Sequence, residues 1–185
     1  PGLVNAHTHL ELSWMRGGGP PASSFAEWAR RIIDERRHHP DPRAPHVLAG
    51  IERAVAEAEA SGTALVGDIS NTLVPFGPLS RSRLAGVLFY ELIRFRAPDP
   101  QGLVDDAVRQ IEALGAAEPL RVSLAAHAPY SVAPLVFPAI RRAVDRMPFV
   151  PCSVHLAEAS EEVEFIRSGS GPWRLTLEAI GSWEP

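Results

Sequence analysis

The sequence predicts an α/β protein, a (β/α)8 TIM barrel of which about five βα units are present. Three observations carry that expectation. Short apolar runs alternate with amphipathic stretches of helical length, which is the rhythm of parallel βα units. No glycine-rich turn follows the first apolar run, where a doubly wound dinucleotide-binding sheet would need one. Histidines and carboxylates stand instead at the ends of the apolar runs, where barrel enzymes carry their chemistry.

The elements follow in order. Leu3–Ala6 reads as a strand running into His7-Thr8-His9, and Gly17 to Pro21 as loop. Ser23 or Ser24 can cap a helix reaching about Arg37, with Phe25, Trp28, Ile32 and Ile33 at helical spacing, and prolines at 40, 42 and 45 end it. Val47–Ala60 is a second helix, stopped by Ser61-Gly62, and Thr63–Val66 a strand ending at Gly67-Asp68. Leu84–Ile93 is a strand, Leu103–Leu114 a helix closed by Gly115, Leu120–Ala126 a strand ending at His127, and Pro134–Arg146 a helix. Phe149–Val154 is a strand ending at His155, Ser160–Arg167 a helix, and Trp173–Ile180 can begin another. Residues 1–185 are read as one partial barrel domain.

Composition narrows the function classes. Forty-five per cent of the 185 residues are hydrophobic, enough for a packed core. A net charge of −4 leaves no electrostatic footprint for nucleic acid or an anionic membrane, and no apolar run approaches the length of a bilayer span. The opening Pro1-Gly2-Leu3-Val4 has no basic leader, and a cytoplasmic location is expected. Cys152 is the sole cysteine, which rules out an internal disulfide; it and Trp28 read as core. All 18 basic residues are arginine, so no Schiff-base, P-loop or carboxylated lysine can act within these residues.

Several residues are candidates for chemistry. His7 and His9, two apart on a strand, project from one face and supply half of a metal shell, although a satisfied surface pair has the same pattern. His155 ends a later strand with Glu158 three residues on, a carboxylate able to move protons without binding metal; a helix-dipole role is the plainer alternative. Glu161, Glu162 and Glu164 read as a solvated helix face. His127, in Ala126-His127-Ala128-Pro129-Tyr130-Ser131, is either a buried histidine or a ring presented to a ligand, with Ser123 and Ala125 small enough for a crowded barrel interior. Glu91 can touch substrate near a strand end, although a polar residue there often stands behind a contact residue or faces solvent, and Asp68 shares that ambiguity. His38 and His39 read as last-turn helix residues favoured by the dipole.

Taken together, residues 1–11 (Pro1-Gly2-Leu3-Val4-Asn5-Ala6-His7-Thr8-His9-Leu10-Glu11), His127-Ala128-Pro129-Tyr130-Ser131 and His155-Leu156-Ala157-Glu158 with Glu161-Glu162 resemble the amidohydrolase superfamily, in its branch of mononuclear deaminases and chlorohydrolases. The absence of lysine agrees with that branch. The resemblance implies that His7, His9 and His155 bind one divalent metal ion, zinc or iron. Glu158 becomes the proton-transfer residue, and His127 a substrate contact. The implied reaction is attack of metal-bound hydroxide on a ring carbon carrying an amino group, in a small-molecule heterocycle such as an aminopurine or aminofutalosine; His9-Leu10-Glu11-Leu12-Ser13 followed by Phe25 and Trp28 is similar to the aminofutalosine deaminases. Removal of chloride, opening of a cyclic amide, and an inactive barrel used as a binding subunit are the alternatives. A homo-oligomer is compatible with the reading. The superfamily's sixth-strand histidine and eighth-strand aspartate have no counterpart before Pro185, so residues 1–185 alone are expected to be inactive.

Overall fold

Each strand of the sheet pairs with the next in sequence, and every pairing is parallel. The computed structural model describes residues 2–17, 22–147 and 150–183. Its single sheet has the order β1 (Leu3–Thr8), β2 (Thr63–Ser70), β3 (Ala85–Leu92), β4 (Leu120–Ala126), β5 (Ser153–Val154). Helices α1 (Phe25–His38), α2 (Pro45–Ala60), α3 (Phe76–Ser80), α4 (Pro100–Glu112), α5 (Val136–Val144), α6 (Ser160–Ser168) and α7 (Pro172–Ala179) intervene or follow. This is half of an α/β barrel. The loop expected through Pro21 falls partly on residues 18–21, and the fifth strand's expected start on Phe149, outside the described residues.

Local chemistry sets the helix starts. The Ser24 hydroxyl accepts from the Glu27 N–H, and Asp99 from Gly102 N–H with Pro100 next in line. Proline also opens α2 and α7. Strand β2 continues to Ser70, beyond the expected Val66, because Asp68, Ile69 and Ser70 pair with Leu88, Phe89 and Tyr90 of β3. Gly67 and Asp68 are poor strand formers, and here the neighbouring strand overrides that propensity. A 3-10 helix over Leu10–Met15 and the short α3 were not foreseen. Gly86 allows β3 to lie against β2, since a Cβ there would sit 2.1 Å from the Val66 carbonyl oxygen.

The side-chain period of two sorts the strands into two faces. Val66, Leu84 and Leu88 pack against Val47, Ile51 and Val55 of α2. Leu92, Leu124 and Ala126 pack against Val104 and Ala107 of α4 and Ala139 and Ile140 of α5. The opposite phase holds a separate cluster of Ile69, Phe89 and Ala125, which fills the concave side. Two residues further along each strand, that inward phase reaches Asn71, Glu91 and His127. The fold therefore collects polar side chains at one end of the sheet.

The outer strands are open. β1 pairs only with β2 and β5 only with β4 among the described residues, and Leu3 and Val4 are each 64% exposed. Cys152, expected in the core, is exposed beside the short β5, whose far side has no neighbour among the described residues. Trp28 is likewise 46% exposed, because α1 lies along a cavity mouth and stacks Trp28 on Phe25. Among the described residues no helix is long and apolar enough to cross a membrane.

Candidate metal centre

His7 and His9 leave the end of β1 with their Nε2 atoms 3.2 Å apart. His155, just after β5, brings its ring centroid to 4.8 Å from that of His7 and 5.4 Å from that of His9. One donor atom from each of the three lies within 4.8 Å of the others. Tetrahedral zinc with nitrogens at about 2.0–2.1 Å places its donors roughly 3.3 Å apart, so the His7–His9 spacing already matches such a shell.

The remaining ring nitrogens decide which atoms can bind an ion. His9 Nδ1 stands 3.0 Å from the Ile69 carbonyl, which can only accept, so Nδ1 carries the proton and Nε2 keeps its lone pair. His155 Nδ1 stands 3.0 Å from Glu91 Oε1, too poorly aligned for a hydrogen bond, but an acceptor-only carboxylate at that distance still favours the proton on Nδ1 and frees Nε2. The donor set of three imidazoles with two fixed tautomers fits a divalent ion. Glu91, His127 and His155 also lie close enough to be a ligand group, but there the His155 nitrogen facing Glu91 is needed as a proton donor.

Glu91 is 4% exposed. It lines the cavity, yet its Oε1 faces His155 and its Oε2 accepts from Asn71 Nδ2 at 2.7 Å. Burial opposes its charge, but His155, His127 and Asn71 outweigh that and hold its pKa below the usual carboxylate value. Burial also opposes a charged His155, and the Glu91 carboxylate, with Glu158 behind it, raises that pKa instead. Burial lowers the pKa of His9. His127 is pushed down to about 4, chiefly by burial, so its ring is neutral near pH 7. Its Nδ1 lies 2.5 Å from Ser131 Oγ, which itself donates to the Ala128 carbonyl, so Nδ1 donates and Nε2 remains an acceptor.

Glu158 is exposed and faces the same cavity, of about 560 Å³. The preceding Ala157 has φ +58°, a left-handed conformation that costs a non-glycine residue roughly 1–2 kcal/mol. Glu162 holds that turn: its Oε2 accepts from the Glu158 N–H at 2.8 Å, the reach-back of a carboxylate in a helix's first turn. Glu162 is 0% exposed, which corrects its reading as part of a solvated face. Tyr130 stacks on Trp173 at 3.9 Å and meets the His127 ring edge-on. Burial, then the charges of Glu158 and Glu162, pushes the Tyr130 phenol up and keeps it protonated.

The structure thus brings His7, His9, Glu91, His127, His155 and Glu158 onto one cavity. Asp68 stands apart, its Oδ1 accepting from the Leu10 N–H. His38 and His39 end α1 away from the three imidazoles, with His38 Nδ1 on the Asp34 carbonyl. Asn71, Glu11, Arg36 and Glu162 were missed as supports. Glu11 belongs to the motif at the end of β1 without showing a role there, and Asn71 lies beyond the expected end of its strand.

No protein-family model matches the chain. Over 173 residues, 92% of the chain, it is 27% identical to an adenosine deaminase of Helicobacter pylori. Over 194 aligned positions, 97% of the chain, it is 30% identical to an aminodeoxyfutalosine deaminase of Deinococcus radiodurans. The solved Helicobacter pylori aminofutalosine deaminase, in complex with methylthio-coformycin, superposes with a TM-score of 0.84 at 24% identity, covering 100% of this chain and 44% of that one. The chain has the barrel fold of the amidohydrolase superfamily. An adenosine deaminase of Xanthomonas campestris with bound zinc superposes on 98% of this half-barrel, and on 42% of its own chain, with a TM-score of 0.74 at 21% identity. The chain spans about two fifths of the length of the curated relatives it matches (40% and 42%).

Proposed function

We propose that this chain forms the first five βα units of the catalytic barrel of a metal-dependent deaminase acting on an amino-substituted heterocycle. The observation that carries the reading is the convergence of the His7, His9 and His155 donor nitrogens on the cavity that Glu158 also faces. Relatives named for adenosine and aminodeoxyfutalosine deamination support it. His7, His9 and His155 would hold the ion, and the zinc bound by the Xanthomonas campestris relative favours zinc over iron. A divalent ion held there lowers the pKa of a water it binds to roughly 7.

The chain's own residues supply the rest. Glu158 takes a proton from the attacking water and passes it to the ring or to the departing nitrogen, so that water adds, the carbon–nitrogen bond breaks and ammonia leaves. Neutral His127 offers its Nε2 lone pair to an N–H of the heterocycle. Glu91 serves the metal centre from behind, by facing His155 Nδ1. The stacked Tyr130–Trp173 pair gives a planar ring an apolar wall.

Assay of the zinc-loaded protein carrying the whole barrel, on aminopurine nucleosides, chloro-substituted triazines and cyclic amides, separates the alternatives. Ammonia release from the first group is expected. Release of chloride or of a ring-opened acid alone overturns deamination in favour of the other hydrolases, and no turnover with any of the three favours a binding role.

A further inference from the structure

Behind the three imidazoles and Glu91 runs a chain of buried and half-buried polar groups that the proposed reaction does not use. Asn71 follows β2 and stands at its middle. Its Oδ1 accepts from Arg36 Nη1 at 2.6 Å, and its Nδ2 donates to Glu91 Oε2 at 2.7 Å. An amide is nearly symmetric in shape, so its neighbours decide which end is which. Arg36 has no lone pair and can face only an oxygen. It therefore sets Asn71 with its nitrogen toward Glu91.

Arg36 is held in turn. Its Nη1 lies 3.1 Å from Glu11 Oε1, and Glu11 is 6% exposed. The Glu11 carboxylate also accepts from Ser70 Oγ at 2.7 Å, Asn71 N at 3.0 Å, Thr72 N at 3.1 Å and Thr72 Oγ1 at 2.9 Å. These bonds fix the loop that carries Asn71. With Oε2 taken by Asn71, Glu91 has Oε1 left for His155 Nδ1 at 3.0 Å. Each link is charge-assisted, and each has one allowed polarity.

We infer that Asn71, oriented by Arg36, is a positioning residue for the metal centre: it fixes the Glu91 carboxylate and, through it, the His155 nitrogen left to bind the ion. The inference rests on the metal-centre reading above. It ties the centre to α1, whose Trp28, Ile32 and Ile33 wall the cavity while its Arg36 anchors the relay.

The test is a competition titration with zinc, with a thermal melt of each protein, on the wild type, Asn71→Asp, Glu91→Gln and the double variant. Asn71→Asp sets two acceptors against each other, and Glu91→Gln sets two donors. Each is expected to weaken zinc binding by about 10–100-fold, the usual cost of losing a group behind a ligand. In the double variant the amide introduced at position 91 can donate to the carboxylate introduced at position 71, while the oxygen of that amide still accepts from His155. The double variant is expected to recover most of the lost affinity, which a merely structural role would not produce. Single variants within about twofold of wild type, or losses that add in the double, overturn the inference. Should Asn71→Asp not fold, Arg36→Met at a half-exposed position carries the test: weaker zinc binding supports the relay and unchanged binding overturns it. A wild type that takes up no zinc overturns the metal-centre reading itself, a result distinct from the other failures.

Discussion

His155 Nδ1, beyond the end of β5, stands 3.0 Å from Glu91 Oε1 on β3, and both side chains are buried. Strand β4 lies between their strands, so only the curvature of the half-barrel brings the two together. The contact favours a proton on His155 Nδ1 and leaves the Nε2 lone pair free.

His155→Ala is therefore expected to lose most bound metal, while His38→Ala, in the last turn of α1, keeps it. Metal content per protein after desalting checks both. Full retention in His155→Ala removes that residue from the ligand set.

Glu158→Gln should keep fold and metal and lose turnover by about 10²–10⁴-fold, the usual contribution of a general acid–base. Metal content and steady-state ammonia release, measured side by side, separate proton transfer from ligation. Near-normal turnover would leave Glu158 as a residue of the helix entrance alone.

Glu162 is the residue that holds Glu158 in place. Glu162→Ala removes the acceptor of the Glu158 N–H and is expected to cost about 0.5–2 kcal/mol, as losing a helix cap does. Turnover should fall while bound zinc is kept, and Glu162→Gln, which retains an acceptor oxygen, should restore much of both. Denaturant midpoints and rates on the two variants test this; equal behaviour of Ala and Gln counts against the role.

Asp68 predicts a pH dependence. It is fully buried, its Oδ2 has no hydrogen-bond partner among the described residues, and burial, with the Glu11 charge, raises its pKa well above the usual value. The folded state then binds the proton more tightly than the unfolded chain. The stability from that proton is fully present below the unfolded carboxyl pKa of about 3.9 and is lost as pH rises through the folded value. Asp68→Asn cannot lose a proton there and should flatten the stability–pH curve on that side. An unchanged curve in denaturant titrations contradicts the assignment.

Much of this was legible in the sequence because two periodicities govern it. The alternation of apolar runs and helical stretches gave the parallel βα order. The period of two along a strand placed His7 with His9 and His127 with Ala125. What escaped depended on contacts between distant residues. Asn71 sat past a Gly-Asp pair that reads as a strand end, and only pairing with β3 carries the strand on to Ser70. Glu162 looked like one of several helix-surface acids, yet its position in the first turn lets it reach back to the Glu158 N–H. Trp28 and Cys152 read as core by residue type, but the cavity mouth and the open edge near β5 leave them exposed.

The central claim is that the three imidazoles hold an ion on which deamination depends. Ammonia release from an aminopurine nucleoside by the protein carrying the whole barrel, followed before chelation, after removal of metal and after adding back one equivalent of zinc, tests it most directly. The account predicts that turnover disappears with the metal and returns with zinc, and that His7→Ala protein does not recover. Turnover that survives complete metal removal would contradict it.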